Sequence, residues 1–269
     1  MNGAALDAWI AALPVQALVF ALVLCRVSAA VMLMPGLGEQ TYPMTVRAGI
    51  ALCLTGLVMP LVQPAFGALD PAAIDPWRLG GMVAVELLTG GLIGWLAQLV
   101  VQALPVAGQV ISLMTGLSNV LQPDPALGSE IAAPSRLFGL LAPVLVLVSG
   151  AWIFPVRAVI GSYALVPAGS AILSVHAPLI GDGVQAVVRL TGRSFALALE
   201  LSAPFVLLSL VWEISLGVLG RLVPNLQVYN LASPLQMLGG IGMLALLMRA
   251  MLETWQGRVF DLLSGLPGL

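Results

Sequence analysis

The sequence predicts an all-α membrane protein with about six hydrophobic helices. Of its 269 residues, 60% are hydrophobic and only 8% are charged, and the mean hydropathy is +1.06. Soluble domains contain about 45–50% apolar residues, so this composition is typical of an integral membrane protein. The apolar residues also form long runs separated by proline and glycine, and each run is long enough to cross a bilayer as a helix.

The candidate spans are apolar runs of roughly 18 or more residues. Their ends coincide with helix breakers, such as Pro35-Gly36 after the first run and the segment from Pro64 to Pro76 after the second. We see no soluble module and predict one integral membrane domain over residues 1–269. The six runs lie near Leu13–Met34, Met44–Val62, Leu79–Leu104, Leu137–Ile160, Phe195–Leu219 and Leu231–Met248.

Charge and motif content exclude several classes of function. The ten basic residues are all arginine, and the twelve acidic residues bring the net charge to -2, so no basic patch for nucleic acid exists. His176 is the single histidine, and Cys25 and Cys53 lie in separate apolar runs, where we interpret both as buried thiols. No metal-ligand spacing, phosphate-binding loop or nucleophile elbow is present. We therefore expect no enzyme activity and no cofactor.

Five charged residues lie within or at the edges of the predicted spans. A charge at the centre of a membrane helix costs about 2.5–3.5 kcal/mol on insertion scales, so such residues usually face protein or water. They form either an ion or proton relay or structural pairs between neighbouring helices, and their scatter along the chain favours structural pairs. The residues are Arg26, Glu86, Arg157, Glu200 and Glu213.

Two glycine clusters predict close helix packing. Gly90-x-x-x-Gly94 lies in the third run, and Gly239, Gly240 and Gly242 lie in the last. Small residues at this spacing let helix backbones approach closely. We interpret both clusters as packing seams within the protein.

The region from Leu87 to Pro123 has no charged residue and is longer than one bilayer crossing requires. We expect Pro105 and Gly108 to break it. The segment that follows, residues 109–118, mixes polar and apolar residues too evenly to face lipid. It suits a position against a cavity or another subunit.

A polar, proline-bracketed turn between the last two runs is the most specific local feature. Pro224 and Pro234 lack backbone donors and fix φ. Asn225, Gln227 and Asn230 supply side-chain donors and acceptors for backbone groups that a broken helix leaves unpaired, and such a turn at membrane depth needs protein around it. We call this turn the elbow. Its candidate contact residues are Arg221, Pro224, Asn225, Gln227, Tyr229, Asn230 and Pro234.

The elbow reads Arg221-x-x-Pro224-x-Leu226-Gln227-Val228-Tyr229, followed by Pro234-Leu235. It resembles the motif R-x-x-P-Q-[LM]-N-V-[FY] of the FliR family of flagellar export-gate proteins, whose counterparts in virulence type III secretion are the SctT proteins. Here the two amides are exchanged, because asparagine and glutamine stand where the family usually has glutamine and asparagine. Other similar pieces, in the family's order, are Pro35-Gly36-Leu37-Gly38 with Tyr42-Pro43, Val46-Arg47-Ala48-Gly49-Ile50-Ala51-Leu52, Gly108-Gln109-Val110-Ile111 with Gly116-Leu117-Ser118, and Ser162-Tyr163 with Leu165-Val166-Pro167-Ala168-Gly169.

The resemblance implies an assembly and a location. One copy of this chain would join several FliP-like and FliQ-like subunits in a spiral of helical hairpins, topped by an FlhB-like subunit, through which unfolded export substrates pass. The complex would lie in the bacterial inner membrane, in the flagellar basal body, in contact with lipid. Broken helices and buried polar groups are tolerated there because neighbouring chains supply partners.

The resemblance also implies a channel plug, because in the family a loop of this subunit closes the channel. The matching segment is residues 109–118, which we call the plug segment, with Gly108 and Gly116 as its hinges. An apolar constriction blocks water and ions and still yields to a passing chain. The alternative is a plain amphipathic packing helix. The plug candidates are Gln109, Val110, Ile111, Leu113, Met114 and Gly116.

Two other functions compete with a flagellar export gate. The Pro167-Ala168-Gly169 turn favours the flagellar branch over an SctT-type virulence subunit. A small-molecule secondary transporter would also have about six spans, broken helices and intramembrane charges, but it should show paired broken segments in its two halves. The elbow has only a loose counterpart at residues 35–43. We therefore expect a non-enzymatic channel subunit of a protein-export gate.

Overall fold

The computed structural model describes residues 3–66, 74–117, 121–123, 130–167, 177–222 and 228–269. Within these residues the chain forms eight α-helices, a 3₁₀ turn at Gln63–Phe66 and one short antiparallel pair of strands. The strands are β1 (Leu121–Pro123) and β2 (Glu130–Ala132), with Gln122 opposite Ile131. The helices are α1 (Gly3–Leu33), α2 (Met44–Val62), α3 (Pro76–Val101), α4 (Ala103–Met114), α5 (Ala133–Ser149), α6 (Ile153–Leu165), α7 (Ala177–Leu222) and α8 (Val228–Leu263).

The prediction of an all-α membrane fold with about six spans is confirmed. In the described parts of the chain, five helices are long and apolar enough to cross a membrane, and a bent pair, α5 with α6, brings the number to as many as six. The five spans are Leu13–Leu33, Met44–Phe66, Pro76–Met114, Gly183–Leu222 and Ala232–Leu263, and the third contains both α3 and α4.

The predicted fourth span is not one straight helix. α5 and α6 meet at an angle of 70°. Gly150 lies at the bend with φ +78°, a left-handed conformation that glycine adopts without strain. The span predicted near Leu137–Ile160 is therefore present as a bent pair of helices, because the apolar run continues through a residue at which the backbone turns.

The predicted break at Pro105 and Gly108 is wrong, because both residues lie inside α4. The helix is interrupted only at Gln102, between α3 and α4. Proline lacks an N–H and its ring crowds the carbonyl four residues earlier, and for Pro105 that residue is Val101, the last of α3. The proline therefore acts one turn before its own position.

α7 and α8 are longer than the apolar runs that predicted them. α7 has 46 residues and α8 has 36. At about 1.5 Å per residue α7 has a contour length of about 69 Å, against a hydrocarbon core of about 30 Å. The extra turns contain charged residues. Arg189 and Arg193 lie before the apolar part of α7, and Glu253 and Arg258 lie after the apolar part of α8.

The chain divides into two compact units. Unit 1 contains Met1–Gln98, Ser149–Leu190 and Leu262–Leu269, and unit 2 contains Leu99–Val148 and Thr191–Asp261. The division concerns packing within the chain and does not test the predicted membrane domain over residues 1–269, which stays a prediction.

The core of unit 1 contains the first predicted glycine seam. A Cβ on Gly90 would collide with the carbonyl oxygen of Arg26, and a Cβ on Gly94 with that of Ala30, so α1 and α3 are in backbone contact there. The end of the chain packs in the same unit, where Gly268 lies against the backbone of α6 at Ala158. Cys53 is exposed, so its predicted burial is wrong, and Cys25 is half-buried.

Candidate functional site

Residues 109–114 of the plug segment form the C-terminal part of α4, in unit 2, and Thr115, Gly116 and Leu117 follow the helix. The structure describes it as far as Leu117 and places its residues on different faces of the helix. Ile111 is 0% exposed, whereas Leu113 is 56% exposed. Gln109 is exposed, and Val110 and Met114 are half-buried.

This placement changes what each plug candidate can do. Ile111 is part of the core of unit 2 and cannot face a channel from this position. Gln109 and Leu113 are four residues apart and so share the outer face of α4. Leu113 is the large apolar side chain on that face. The plug role itself stays a prediction.

The N-terminal half of α4 is fixed to α5. Ser135 Oγ donates a hydrogen bond to the Pro105 carbonyl at 3.0 Å. A Cβ on Gly108 would lie 2.7 Å from the Phe138 ring and 2.8 Å from Ser135 Cα. Gly108 therefore permits close packing inside a helix, and its predicted role as a hinge is not what the structure shows.

Gly116 does lie at a turn. α4 ends at Met114, Thr115 N–H donates to the Ile111 carbonyl at 2.9 Å, and Gly116 follows with φ +73°. A left-handed glycine directly after the last helical turn is a common helix terminus. Gly116 thus redirects the chain at the end of the plug segment.

The end of α4 is held by side chains of α7 and α8. Gln236 Nε2 donates a hydrogen bond to the Met114 carbonyl at 3.0 Å, and Ser209 Oγ lies 3.2 Å from Met114 Sδ. A Cβ placed on Gly240 would lie 2.5 Å from the Thr115 Cβ, so the Thr115 side chain occupies the space that a side chain at residue 240 would need. Gly240 is thus the member of the second predicted glycine cluster that forms a seam, while Gly239 and Gly242 have open space at the Cβ position.

An apolar cavity lies beside this contact. Its volume is about 330 Å³, and it is bounded by the end of α4, by α7 and by α8. The buried indole nitrogen of Trp212 has no hydrogen-bond partner among the described residues. The residues that line the cavity include Met114, Thr115, Phe205, Leu208, Trp212 and Gln236.

Two of the predicted intramembrane charges form a buried ion pair in unit 1. Arg26 Nε lies 2.5 Å from Glu86 Oε2, and both side chains are inaccessible to solvent. The other Arg26 nitrogens donate to Ser162 Oγ at 3.0 Å and to the Val166 carbonyl at 3.2 Å. The guanidinium also lies 3.7 Å above the Tyr163 ring. Arg26 therefore joins α1 to α3 and to the end of α6.

The other three charges differ from this pair. Glu200 pairs with Arg258 at 3.0 Å, and both side chains are about half exposed. Arg157 and Glu213 are exposed, and no salt bridge of either is found within the described ranges. The interpretation of structural pairs between helices thus fits three of the five residues, Arg26, Glu86 and Glu200, and no carboxylate relay connects the five.

The elbow lies partly outside the described residues. Pro224, Asn225 and Gln227 fall in residues 223–227, between α7 and α8. Arg221 is exposed in the last turn of α7. Pro234 lies inside α8, which begins at Val228, so the predicted turn ends earlier than its second proline. The contact role of the elbow stays a prediction.

Several residues at these sites were not predicted from the sequence. Ser162 and Tyr163 at the ion pair stood out only as a piece similar to the family, without a role, and Ser209 and Gln236 at the end of α4 gave no isolated signal. Gln236 precedes Gly240 by one turn just as Glu86 precedes Gly90, but the same spacing recurs at Glu213/Gly217 and Glu253/Gly257, so it does not single out Gln236. No group of three or more histidine, cysteine, aspartate or glutamate residues in the described ranges could hold a metal ion.

Comparison with known proteins gives consistent matches. A family model described as "Bacterial export proteins, family 1" matches residues 17–262. The chain is 32% identical over 249 residues to the flagellar biosynthetic protein FliR of Caulobacter vibrioides, covering 93% of this chain and 96% of that protein. It is 27% identical over 225 residues to FliR of Escherichia coli K12, covering 84% and 82%. It is also 25% identical over 222 residues to the Yop proteins translocation protein T of Yersinia pestis, covering 81% of each.

Proposed function

The chain belongs to the bacterial export proteins, family 1, and on this premise we propose that it is a channel-forming subunit of a flagellar protein-export gate in the bacterial inner membrane. The resemblance to the FliR and SctT proteins is confirmed, and the chain is a membrane-embedded subunit of a type III export apparatus. The family is a structural component of that apparatus and not an enzyme family. Membership sets aside the small-molecule transporter.

The observation that carries the channel proposal is exposed charge within a candidate span. Glu213 is exposed on α7, inside both the apolar run Phe195–Leu219 and the candidate span Gly183–Leu222. Charged side chains at membrane depth face protein or water and not lipid. This surface therefore fits neighbouring subunits or an aqueous channel, as in a gate built with FliP-like, FliQ-like and FlhB-like partners.

The flagellar assignment is favoured over the virulence one by sequence similarity. Identity to the Caulobacter FliR is 32%, against 25% to the Yersinia translocation protein. We assign the chain to the flagellar basal body on this difference, with unfolded flagellar proteins as the chains in transit. An SctT-type subunit of a virulence system is the second candidate.

We further propose that the outer face of α4 obstructs the closed channel, with Leu113 as its principal apolar side chain. Leu113 is exposed within a helix whose opposite face is buried at Ile111 and Ser112. An apolar side chain at a constriction excludes water and ions until a passing chain displaces it.

The assembly is tested by purifying the chain with its partners. It is co-expressed with the FliP-like and FliQ-like proteins of the same bacterium, and in parallel with those of its virulence system where it has one. The tag is placed at the N-terminus, because Gly268 packs against α6 and a C-terminal tag would disturb that contact. A stable complex with one copy of this chain and the flagellar partners is expected. A monomer or homodimer, with the partners present in the same membranes, would contradict the proposal.

The plug is tested by conductance of the assembled complex in liposomes. Leu113→Asn makes the proposed obstruction polar and is expected to raise ion leak several-fold. The matched control is Leu140→Asn on α5, because Leu140 is 60% exposed and Leu113 is 56% exposed. Equal leak from the two variants would exclude Leu113 as the obstruction. Ile111 is unsuitable for this test, since its truncation would leave a cavity in the core.

A further inference from the structure

The two halves of α4 are held in different ways. The N-terminal half packs against α5 through Gly108, with Phe138 and Ser135 in the place of a side chain. The C-terminal end makes no comparable backbone contact in the described residues and is held by the side chains of Gln236 and Ser209. The end of α4 can therefore be released without separating the rest of the helix from its neighbour.

The Gln236 bond closes the helix terminus. The last carbonyls of an α-helix have no acceptor role inside the helix and need partners from elsewhere. The Ile111 carbonyl receives both the N–H and the hydroxyl of Thr115. The Met114 carbonyl receives the amide of Gln236 at 3.0 Å. A residue of α8 thus supplies the cap that α4 lacks.

Gly240 provides the space for this contact. It lies one turn after Gln236 on α8, and the Cβ and Cγ2 atoms of Thr115 occupy the position that a side chain at residue 240 would need, at 2.5 and 2.6 Å. Any larger residue there would push Thr115 away. Gln236 and Gly240 therefore act on neighbouring residues of α4 from the same face of α8.

The surroundings provide a second position for the end of α4. The cavity of about 330 Å³ is bounded by Met114 and Thr115 on one side and by Phe205, Leu208 and Trp212 on another. The cavity is open to the surface on one side, where Leu208 is 43% exposed and Leu235 is 59% exposed, so the end of α4 can move into it without displacing other side chains. Trp212 Nε1 is a buried donor with no partner in the described part of the chain. Open volume and an unused donor are what a displaced carbonyl end requires.

We propose that Gln236 and Gly240 form a latch that holds the end of α4 in its closed position, and that opening of the plug begins when this latch lets go. The effect of the latch on export rests on the proposed function of α4 as the channel plug. The latch itself is a positioning device within unit 2 and is measurable without conductance. Nothing in it depends on charge, so its release does not leave a buried ion without its counterion.

The position of the α4 end is measured by thiol labelling. In the assembled complex with both native cysteines replaced by serine, Leu117→Cys reports on the end of α4, because Leu117 is buried there. Gln236→Met keeps the side-chain length and removes the donor, and Gly240→Ala displaces Thr115. Gln236→Met is expected to raise the labelling rate about fivefold, the population change that loss of one hydrogen bond produces. Gly240→Ala is expected to raise it as well, because the added methyl group collides with Thr115.

The controls are on the same helix. Gly239→Ala and Gly242→Ala add the same methyl group where it meets nothing within 4 Å, so labelling should stay at the parent rate. Where Gly240→Ala prevents assembly, Gln236→Met decides, since it adds no bulk at the seam. Unchanged labelling in Gln236→Met, or equal increases in the glycine controls, would overturn the latch.

The ion leak of the same variants separates the latch from the plug. Faster labelling together with a leak supports both proposals. Faster labelling without a leak supports the latch as a positioning device and rejects the claim that its release opens the plug. A leak from Leu113→Asn with no labelling change in Gln236→Met supports the plug and rejects the latch.

Discussion

On α3 and on α8, a polar residue and the glycine one turn after it both contact another helix. On α3 the pair is Glu86 with Gly90, which face Arg26 of α1. On α8 it is Gln236 with Gly240, which face the end of α4. The spacing is the same because residues four apart lie on one face of a helix. The first contact is an ion pair, and the second is a neutral hydrogen bond.

The difference in charge sets how readily each contact opens. Removing one partner of a buried ion pair costs about 3–5 kcal/mol, because the remaining charge stays in an apolar environment. A neutral hydrogen bond contributes about 0.5–1.5 kcal/mol. Unit 1 also adds a cation–π contact between Arg26 and Tyr163, whereas unit 2 has a cavity beside its contact. The same local pattern thus makes a permanent junction in one unit and a releasable one in the other.

Arg26→Met should have the largest effect on stability. The substitution removes the ion pair and the hydrogen bonds to Ser162 and Val166, and it leaves the Glu86 carboxylate buried. We expect a loss of about 3–5 kcal/mol, seen as a large drop in the unfolding temperature of the detergent-purified protein followed by tryptophan fluorescence.

The matched control is the double variant Arg26→Met with Glu86→Gln. It removes both charges and keeps the side-chain volumes similar, so much of the lost stability should return. If the double variant were as unstable as Arg26→Met alone, the packing of Arg26 and not its charge would hold the junction.

Gly90→Ala should have the second-largest effect and should exceed that of Gly240→Ala. The added methyl at Gly90 meets the backbone carbonyl of Arg26, whereas at Gly240 it meets the side chain of Thr115. Overpacking of a core costs about 1–3 kcal/mol, and the upper part of that range applies where the neighbour is backbone. Thr115 lies beside the cavity and has room to shift.

The control for this pair is Gly80→Ala, on α3 with open space at the Cβ position. Alanine is the better helix former, so Gly80→Ala should be neutral or slightly stabilising. Equal unfolding temperatures for the Gly90 and Gly240 variants would remove the distinction between the two seams.

The sequence predicts the membrane helices well and their bends poorly. α2 occupies Met44–Val62 as predicted, because Pro43 fixes its start and an apolar run sets its length. The bend at Gly150 was missed since hydropathy continues through it. The last turns of α8 were missed for the opposite reason, because charges such as Arg258 end an apolar run without ending the helical hydrogen bonds.

The candidate sites were predictable as residues but not as contacts. Arg26 and Glu86 are conspicuous as charges in apolar runs, yet they are 60 residues apart, and their pairing depends on how α1 and α3 pack. Ile111 was taken as a plug residue because the sequence alone does not say which face of α4 is buried. Gln236 was overlooked because a single amide near a helix end gives no signal until the helix it caps is known.

Gln236→Met should have the smallest effect on stability and a larger one on the position of α4. Loss of one neutral hydrogen bond lowers the stability of unit 2 by about 0.5–1.5 kcal/mol, a shift of the unfolding temperature far below that of Arg26→Met. The global fold of unit 2 stays intact because α4 keeps its packing on α5 through Gly108. A local opening still follows, since the end of α4 loses its one cap from α8 in the described residues.

Hydrogen exchange measures this directly: the amide of Thr115, bonded to the Ile111 carbonyl, should exchange faster, while amides in the centre of α5 keep the parent rate. Equal acceleration in α4 and α5 would mean that the contact stabilises the unit as a whole and that the two junctions differ in strength but not in kind.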